Sequence, residues 1–154
     1  MKKKGFIFLF LVFLVLLILF YPIDVLRLNF NEKTVFYTPI LSNLNVEVCY
    51  THSVSLTKVV DCYAINNSGI FAVKTKWQDF EAGQPLDGYI ENSFFVKDLN
   101  SYLGKNWEYW FIPLNNVSVK INGKNVFSNP KDEGILMFEV SKAPLGEIAL
   151  RWCK

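Results

Sequence analysis

The chain changes its hydrophobic rhythm once, near residue 24. Residues 5–23 carry no charge and are apolar on every side, with Lys2, Lys3 and Lys4 in front. Nineteen residues of helix would be about 28 Å long, close to the thickness of a bilayer core. Basic residues in front keep that end cytoplasmic, so the remainder is expected outside. A cleaved secretion signal has a shorter apolar run and a small-residue cleavage site. Phe20-Tyr21-Pro22-Ile23-Asp24 offers no such site, and no cysteine follows to carry a lipid. The pattern predicts one uncleaved N-terminal transmembrane helix, a single-pass anchor.

Beyond it the period is two, the mark of half-buried strands. Val46, Val48, Tyr50, His52 and Val54 alternate with Glu47, Cys49, Thr51 and Ser53. Val59, Asp61, Tyr63 and Ile65 repeat the rhythm after the loop Ser55-Leu56-Thr57-Lys58. Closing that loop pairs Val54 with Val59, His52 with Asp61, Tyr50 with Tyr63 and Val48 with Ile65, all on one face. The rival register pairs Cys49 with Cys62 across a Ser-Leu turn, where a two-residue turn favours Gly, Asn or Asp. Asn66-Asn67-Ser68-Gly69 marks the next turn, and residues 70–77 read as a third strand in a meander.

Asn122-Gly123 joins residues 117–121 to 124–127 in the clearest hairpin of the chain. Residues 26–34 read as a juxtamembrane connector, and Val35-Phe36-Tyr37 as the opening strand. In 93–103 a strand end gives way to a short helix, since Leu99, Tyr102 and Leu103 have helical spacing before Gly104. Residues 107–112 form an aromatic strand with Trp107, Tyr109 and Phe111 on one parity. Residues 134–141 are a strand, Pro144 and Gly146 frame a turn, and 147–153 form the last strand. The expected fold is all-β, a small antiparallel β-sandwich or partly open barrel behind one transmembrane helix. Residues 1–30 make the anchor and connector, and 31–154 the extracytoplasmic domain.

Charge narrows the partners. The net charge is +2, but residues 31–154 hold 12 basic and 13 acidic side chains. No basic stripe exists to hold nucleic acid. Three cysteines (Cys49, Cys62 and Cys153) are too few and scattered for a disulfide framework or, with one histidine, a zinc site. In the preferred register Cys49 and Cys62 are diagonal on one face, read as small apolar fillers. Asp79, Glu81 and Asp87 fit no calcium loop. Asn66 and Asn116 head glycosylation-type sequons.

The single histidine carries the candidate chemistry. A carboxylate beside His52 favours its charged form, and a buried His–Asp pair satisfies two polar groups. Ser53 is on the opposite face and cannot use His52 as its base. No catalytic residue, metal or cofactor is assigned.

Tyr50-Thr51-His52-Ser53-Val54, then Thr57, Asp61 and Phe80-Glu81-Ala82-Gly83-Gln84-Pro85, resembles the family numbered 1850 among domains of unknown function. The likeness covers residues 45–88. Asp61 stands where the family pattern has Glu, and Glu81 where it has Gly. The resemblance implies a small exported or membrane-anchored protein beside a tripartite ATP-independent periplasmic (TRAP) transporter of the TAXI type. The expected function is then a non-enzymatic accessory protein in the cell membrane. Its partners would be the membrane and the transporter permease or solute-binding protein, met through Tyr50, His52, Ser53, Asp61, Glu81, Gly83 and Pro85. The alternative is a small-ligand or metal-binding module, or an enzyme, centred on His52 and Asp61.

Overall fold

A computed structural model describes residues 2–79 and 87–152. Glu81, Gly83, Pro85 and Cys153 lie outside the described residues. Helix α1 (Lys2–Leu19) is followed by strands β1 (Pro22–Phe30), β2 (Lys33–Pro39), β3 (Leu44–Thr51), β4 (Lys58–Asn66) and β5 (Gly69–Trp77). Then come β6 (Tyr89–Glu91), β7 (Phe94–Gly104), β8 (Asn106–Phe111), a 3-10 turn (Pro113–Asn115), β9 (Ser118–Ile121), β10 (Lys124–Ser128), β11 (Gly134–Pro144) and helix α2 (Leu145–Trp152).

The strands form two antiparallel sheets, four in the order β2-β1-β11-β8 and seven in the order β10-β9-β3-β4-β5-β7-β6. Alternate residues of both turn inward. Leu26, Leu28, Leu136 and Phe138 meet Val46, Val48, Ile65 and Val119 in one core. The result is an open β-sandwich and not a closed barrel. Asn122 and Gly123 both take positive φ, as a type I′ hairpin requires.

The helix stops at Leu19 because Pro22 follows. Proline has no N–H to extend a helix and suits the first position of a strand. The expected connector is therefore corrected: β1 is a central strand between β2 and β11. α1 has eighteen residues, three of them lysines, leaving fifteen uncharged. Among the described residues no helix is long and apolar enough to cross a membrane.

Two further elements differ from expectation. Residues 94–104 are strand throughout, and register shifts opposite Ile70–Phe71 and Ala72–Lys74 break the alternation that would have revealed it. The C-terminal segment is a helix. Glu147 and Arg151, four apart, pair at 3.1 Å, while Ile148 packs on Val25 and Ala143 on the outer face of the four-stranded sheet.

Gly69 closes the β4–β5 turn at φ +141°, and a Cβ there would meet the Gly104 carbonyl oxygen at 2.5 Å and the Tyr102 ring at 2.7 Å. Gly69→Ala is expected to destabilise the fold by about 2 kcal/mol, through backbone strain and overpacking together. Chemical denaturation measures this, and a change below about 0.5 kcal/mol would contradict it.

Candidate functional site

Strand β3 ends at Thr51, and the loop that follows is longer than the sequence suggests. The observed register pairs Tyr50 with Val59, Val48 with Asp61, Val46 with Tyr63 and Leu44 with Ile65. His52 is not opposite Asp61, which corrects the expected pair. The shift is even, so residues still in the ladder keep their expected faces while their partners change. Val54, expected opposite Val59, is instead exposed in the turn, and Ser53, expected on the opposite face, lines the same cavity as His52. The physical reason is a six-residue turn that closes on itself. The His52 N–H donates to the Thr57 carbonyl (2.8 Å) and the Leu56 N–H to the His52 carbonyl (3.0 Å). Leu56 sits at φ +54° to allow this.

His52 organises that turn. Its Nδ1 lies 3.1 Å from Ser55 Oγ and accepts the Ser55 backbone N–H at 3.4 Å. A backbone N–H can only donate, so the neutral ring carries its proton on Nε2. Ser55 Oγ continues to Thr57 Oγ1 at 2.7 Å, and the ring stands 5.8 Å from that of Trp77. Buried Asn115 ties the 3-10 turn to this loop. It donates to the Thr51 carbonyl (2.8 Å) and accepts from the Ile112 N–H (2.8 Å). Tyr50, His52 and Ser53 share a cavity of about 210 Å³ with Tyr109, Ile112 and Asn115.

Asp61 has a different surrounding. Its Oδ1 accepts from Thr75 Oγ1 at 2.6 Å, and Thr75 Oγ1 accepts the Trp77 indole N–H at 2.8 Å. Its Oδ2 accepts from the Tyr109 hydroxyl at 2.8 Å and from Tyr50 at 3.4 Å. Tyr63 and Tyr109 are hydroxyl to hydroxyl. Because Tyr109 gives its proton to Asp61, Tyr63 donates to Tyr109. This β4 carboxylate thus gathers donors from β3, β5 and β8 and ties the two sheets together. Burial pushes the Tyr50, Tyr63 and Tyr109 hydroxyls well above the ordinary phenol range, and the Asp61 charge adds to it.

Of the sequence candidates, Tyr50, His52 and Ser53 come together at one cavity, and Asp61 touches it only through the Tyr50 and Tyr109 hydroxyls. Glu81, Gly83 and Pro85 lie outside the described residues. Cys49 and Cys62 are free and half-buried on the outer face. Cys49 is paired with Val60 and Cys62 with Glu47, so they are diagonal as expected. Burial, then the Glu47 charge, raises both thiols and keeps them protonated.

Thr75, Tyr109 and Asn115 were not singled out by sequence. Counting back from the Asn66–Gly69 turn places Asp61 opposite Lys74. A register shift between Cys62 and Tyr63 brings Thr75 there instead. Tyr109 carried a signal in its parity with Trp107 and Phe111, and Asn115 carried none.

The site and the α1 junction lie at opposite ends of the sandwich. Along β11, Pro144 pairs with Pro22 and Gly134 with Phe111. Ten strand steps separate them, about 33 Å.

The model of a family described as a domain of unknown function (DUF1850) matches residues 46–127. That span holds the His52 loop, Asp61 and all its hydrogen-bonding partners. No curated protein and no solved structure matches the chain.

Proposed function

We propose, for a chain that belongs to the domain of unknown function 1850 family, a non-enzymatic accessory role beside a TRAP-type (TAXI) solute transporter. In this reading α1 holds the protein in the cell membrane, single-pass, with the sandwich outside. The observation that supports it most is α1 itself. Every apolar side chain from Phe6 (73% exposed) to Phe20 (70% exposed) is exposed, and only the end of the helix, at Leu19, meets another element. Water opposes such a surface by about 25 cal/mol for each Å², and a helix apolar all round suits lipid. The helix is short, but the uncharged run continues to Ile23, and a bilayer thins locally around a short segment at modest cost. The transporter context comes from the family resemblance.

The end remote from α1 is the recognition surface in this reading. There Trp110 lines the same cavity as His52 and Ser53, and Val54, Leu56, Trp110 and Leu114 are exposed. An apolar patch around a few polar groups is what a protein partner buries. The partner is the transporter permease or its solute-binding protein. The alternative of a ligand or metal site on His52 and Asp61 has less support. The two side chains do not face each other, and the Asp61 oxygens are occupied by Thr75, Tyr109 and Tyr50.

A photo-crosslinking residue at Val54 tests the reading in intact cells. The full chain should stay with membranes after an alkaline wash, its C-terminal part should be cut by external protease, and Val54 should crosslink to a transporter subunit. Release by the wash removes the anchor. Crosslinks to no transporter subunit, with solute uptake unchanged on gene deletion, remove the accessory role.

A further inference from the structure

We infer that Leu41, at the tip of the β2–β3 loop, is a second membrane contact beside α1. The occupant of this surface is the boundary between lipid headgroups and acyl chains. The inference rests on the anchor reading given above and adds how the sandwich sits on its anchor.

The register carries it. Val25 pairs with Pro39, and the Ile40 N–H donates to the Asp24 carbonyl at 2.8 Å. The next antiparallel step sets Leu41 level with Ile23, the last residue of the uncharged run. Neighbouring strands are about 4.8 Å apart, so a chain that leaves the bilayer near Ile23 brings Leu41 to its surface. On the other flank Pro144 pairs with Pro22, and the Leu145 N–H donates to the Tyr21 carbonyl at 2.9 Å. A Cβ at Gly146 would lie 3.2 Å from the Leu19 carbonyl oxygen, so α2 begins directly against the end of α1. Contacts on both sides thus hold the anchor exit to the sandwich.

The chemistry fits the same place. Leu41 is 79% exposed, and nothing in the protein covers it. The loop Ile40-Leu41-Ser42-Asn43 has no charge to keep in water. Tyr21, also exposed, is of the residue type that prefers the membrane interface. An exposed leucine among neutral residues gains by leaving water for the acyl boundary. With α1 as one contact and Leu41 as another, rotation of the sandwich about the anchor is restricted. The same restriction holds the His52 end away from the bilayer.

Depth measurement by a fluorescent label tests this on the full chain in phosphatidylcholine vesicles. Cys49, Cys62 and Cys153 are replaced by serine, and single cysteines are introduced by Leu41→Cys, Val54→Cys and Phe13→Cys. Each is labelled with an environment-sensitive dye and exposed to lipids carrying a nitroxide quencher, either near the headgroup or deep in the acyl chain, and the stronger quenching of the two is read at each position. Labels at 13 and 41 should be quenched at least threefold more than the label at 54. A label at 41 as unquenched as that at 54, with 13 still quenched, overturns the inference and leaves the anchor intact. Loss of quenching at both 13 and 41 overturns the anchor and the inference together. Hydrogen exchange of residues 40–43 in the chain with native cysteines is a second readout. It should slow at least fivefold on vesicles relative to detergent, and an unchanged rate contradicts the proposal.

Discussion

Asp61→Ala is expected to remove about 3–5 kcal/mol of folding stability, because a half-buried charged acceptor shared by three hydroxyl donors is lost. The carboxylate accepts two short hydrogen bonds, from Thr75 at 2.6 Å and Tyr109 at 2.8 Å. Bonds to a charged acceptor contribute about 1.5–3 kcal/mol each, and a donor left without a partner inside the protein costs about 1–3 kcal/mol more. A small domain has about 5–15 kcal/mol in total, so this variant loses much of its margin. The order of milder variants is as informative as the size. Tyr109→Phe should cost more than Tyr50→Phe, whose bond is long at 3.4 Å. Asp61→Asn keeps the shape without the charge and should fall between the extremes. Denaturant unfolding of the full chain in detergent, followed by tryptophan fluorescence, reads all four. An Asp61→Ala variant within about 0.5 kcal/mol of the parent would mean that the carboxylate does not join the sheets.

That prediction separates two residues that the sequence had joined. Alternation of Val46, Val48 and Tyr50 against Val59, Asp61, Tyr63 and Ile65 was enough to show strands, faces and an inward carboxylate. It did not show which residues meet. The His52 loop supplies its own hydrogen bonds through Ser55 and Thr57, so it needs no Gly or Asn turn signal. A turn without that signal leaves the register open. The Asn122-Gly123 hairpin was legible for the converse reason: its residue types demand one turn.

Other features were hidden by competing local signals. Pro144 and Gly146 read as a turn, yet Glu147 and Arg151 at helical spacing with Ile148 between them were already the better evidence for α2. In β7 the register shifts scrambled the period and imitated a helix. Pro22 did announce the end of α1, although the uncharged run continued past it. The inter-sheet polar cluster was least legible. It needs Tyr109 from one sheet and Thr75 from the other, and a register shift in β4 sets the second contact.

The same cluster sets a strong response to alkali. In the unfolded chain Tyr50, Tyr63 and Tyr109 ionise near pH 10, as free phenols do. In the folded protein burial and then the Asp61 charge raise all three. Below pH 10 both states hold these protons, and the stability they affect is fully present. Above it the unfolded state binds fewer protons than the folded one, so stability falls as pH rises. Each group contributes about 1.4 kcal/mol per pH unit, hence about 4 kcal/mol per unit for three. Of seven tyrosines in the chain, these three should gain phenolate absorbance only as the tertiary fluorescence signal is lost. In Asp61→Asn their ionisation should begin at lower pH, but burial, the larger cause, should keep it above the free-phenol range. A single titration of all seven tyrosines near pH 10, with the fold intact, would show that their hydroxyls are open to water and that no sealed cluster joins the sheets.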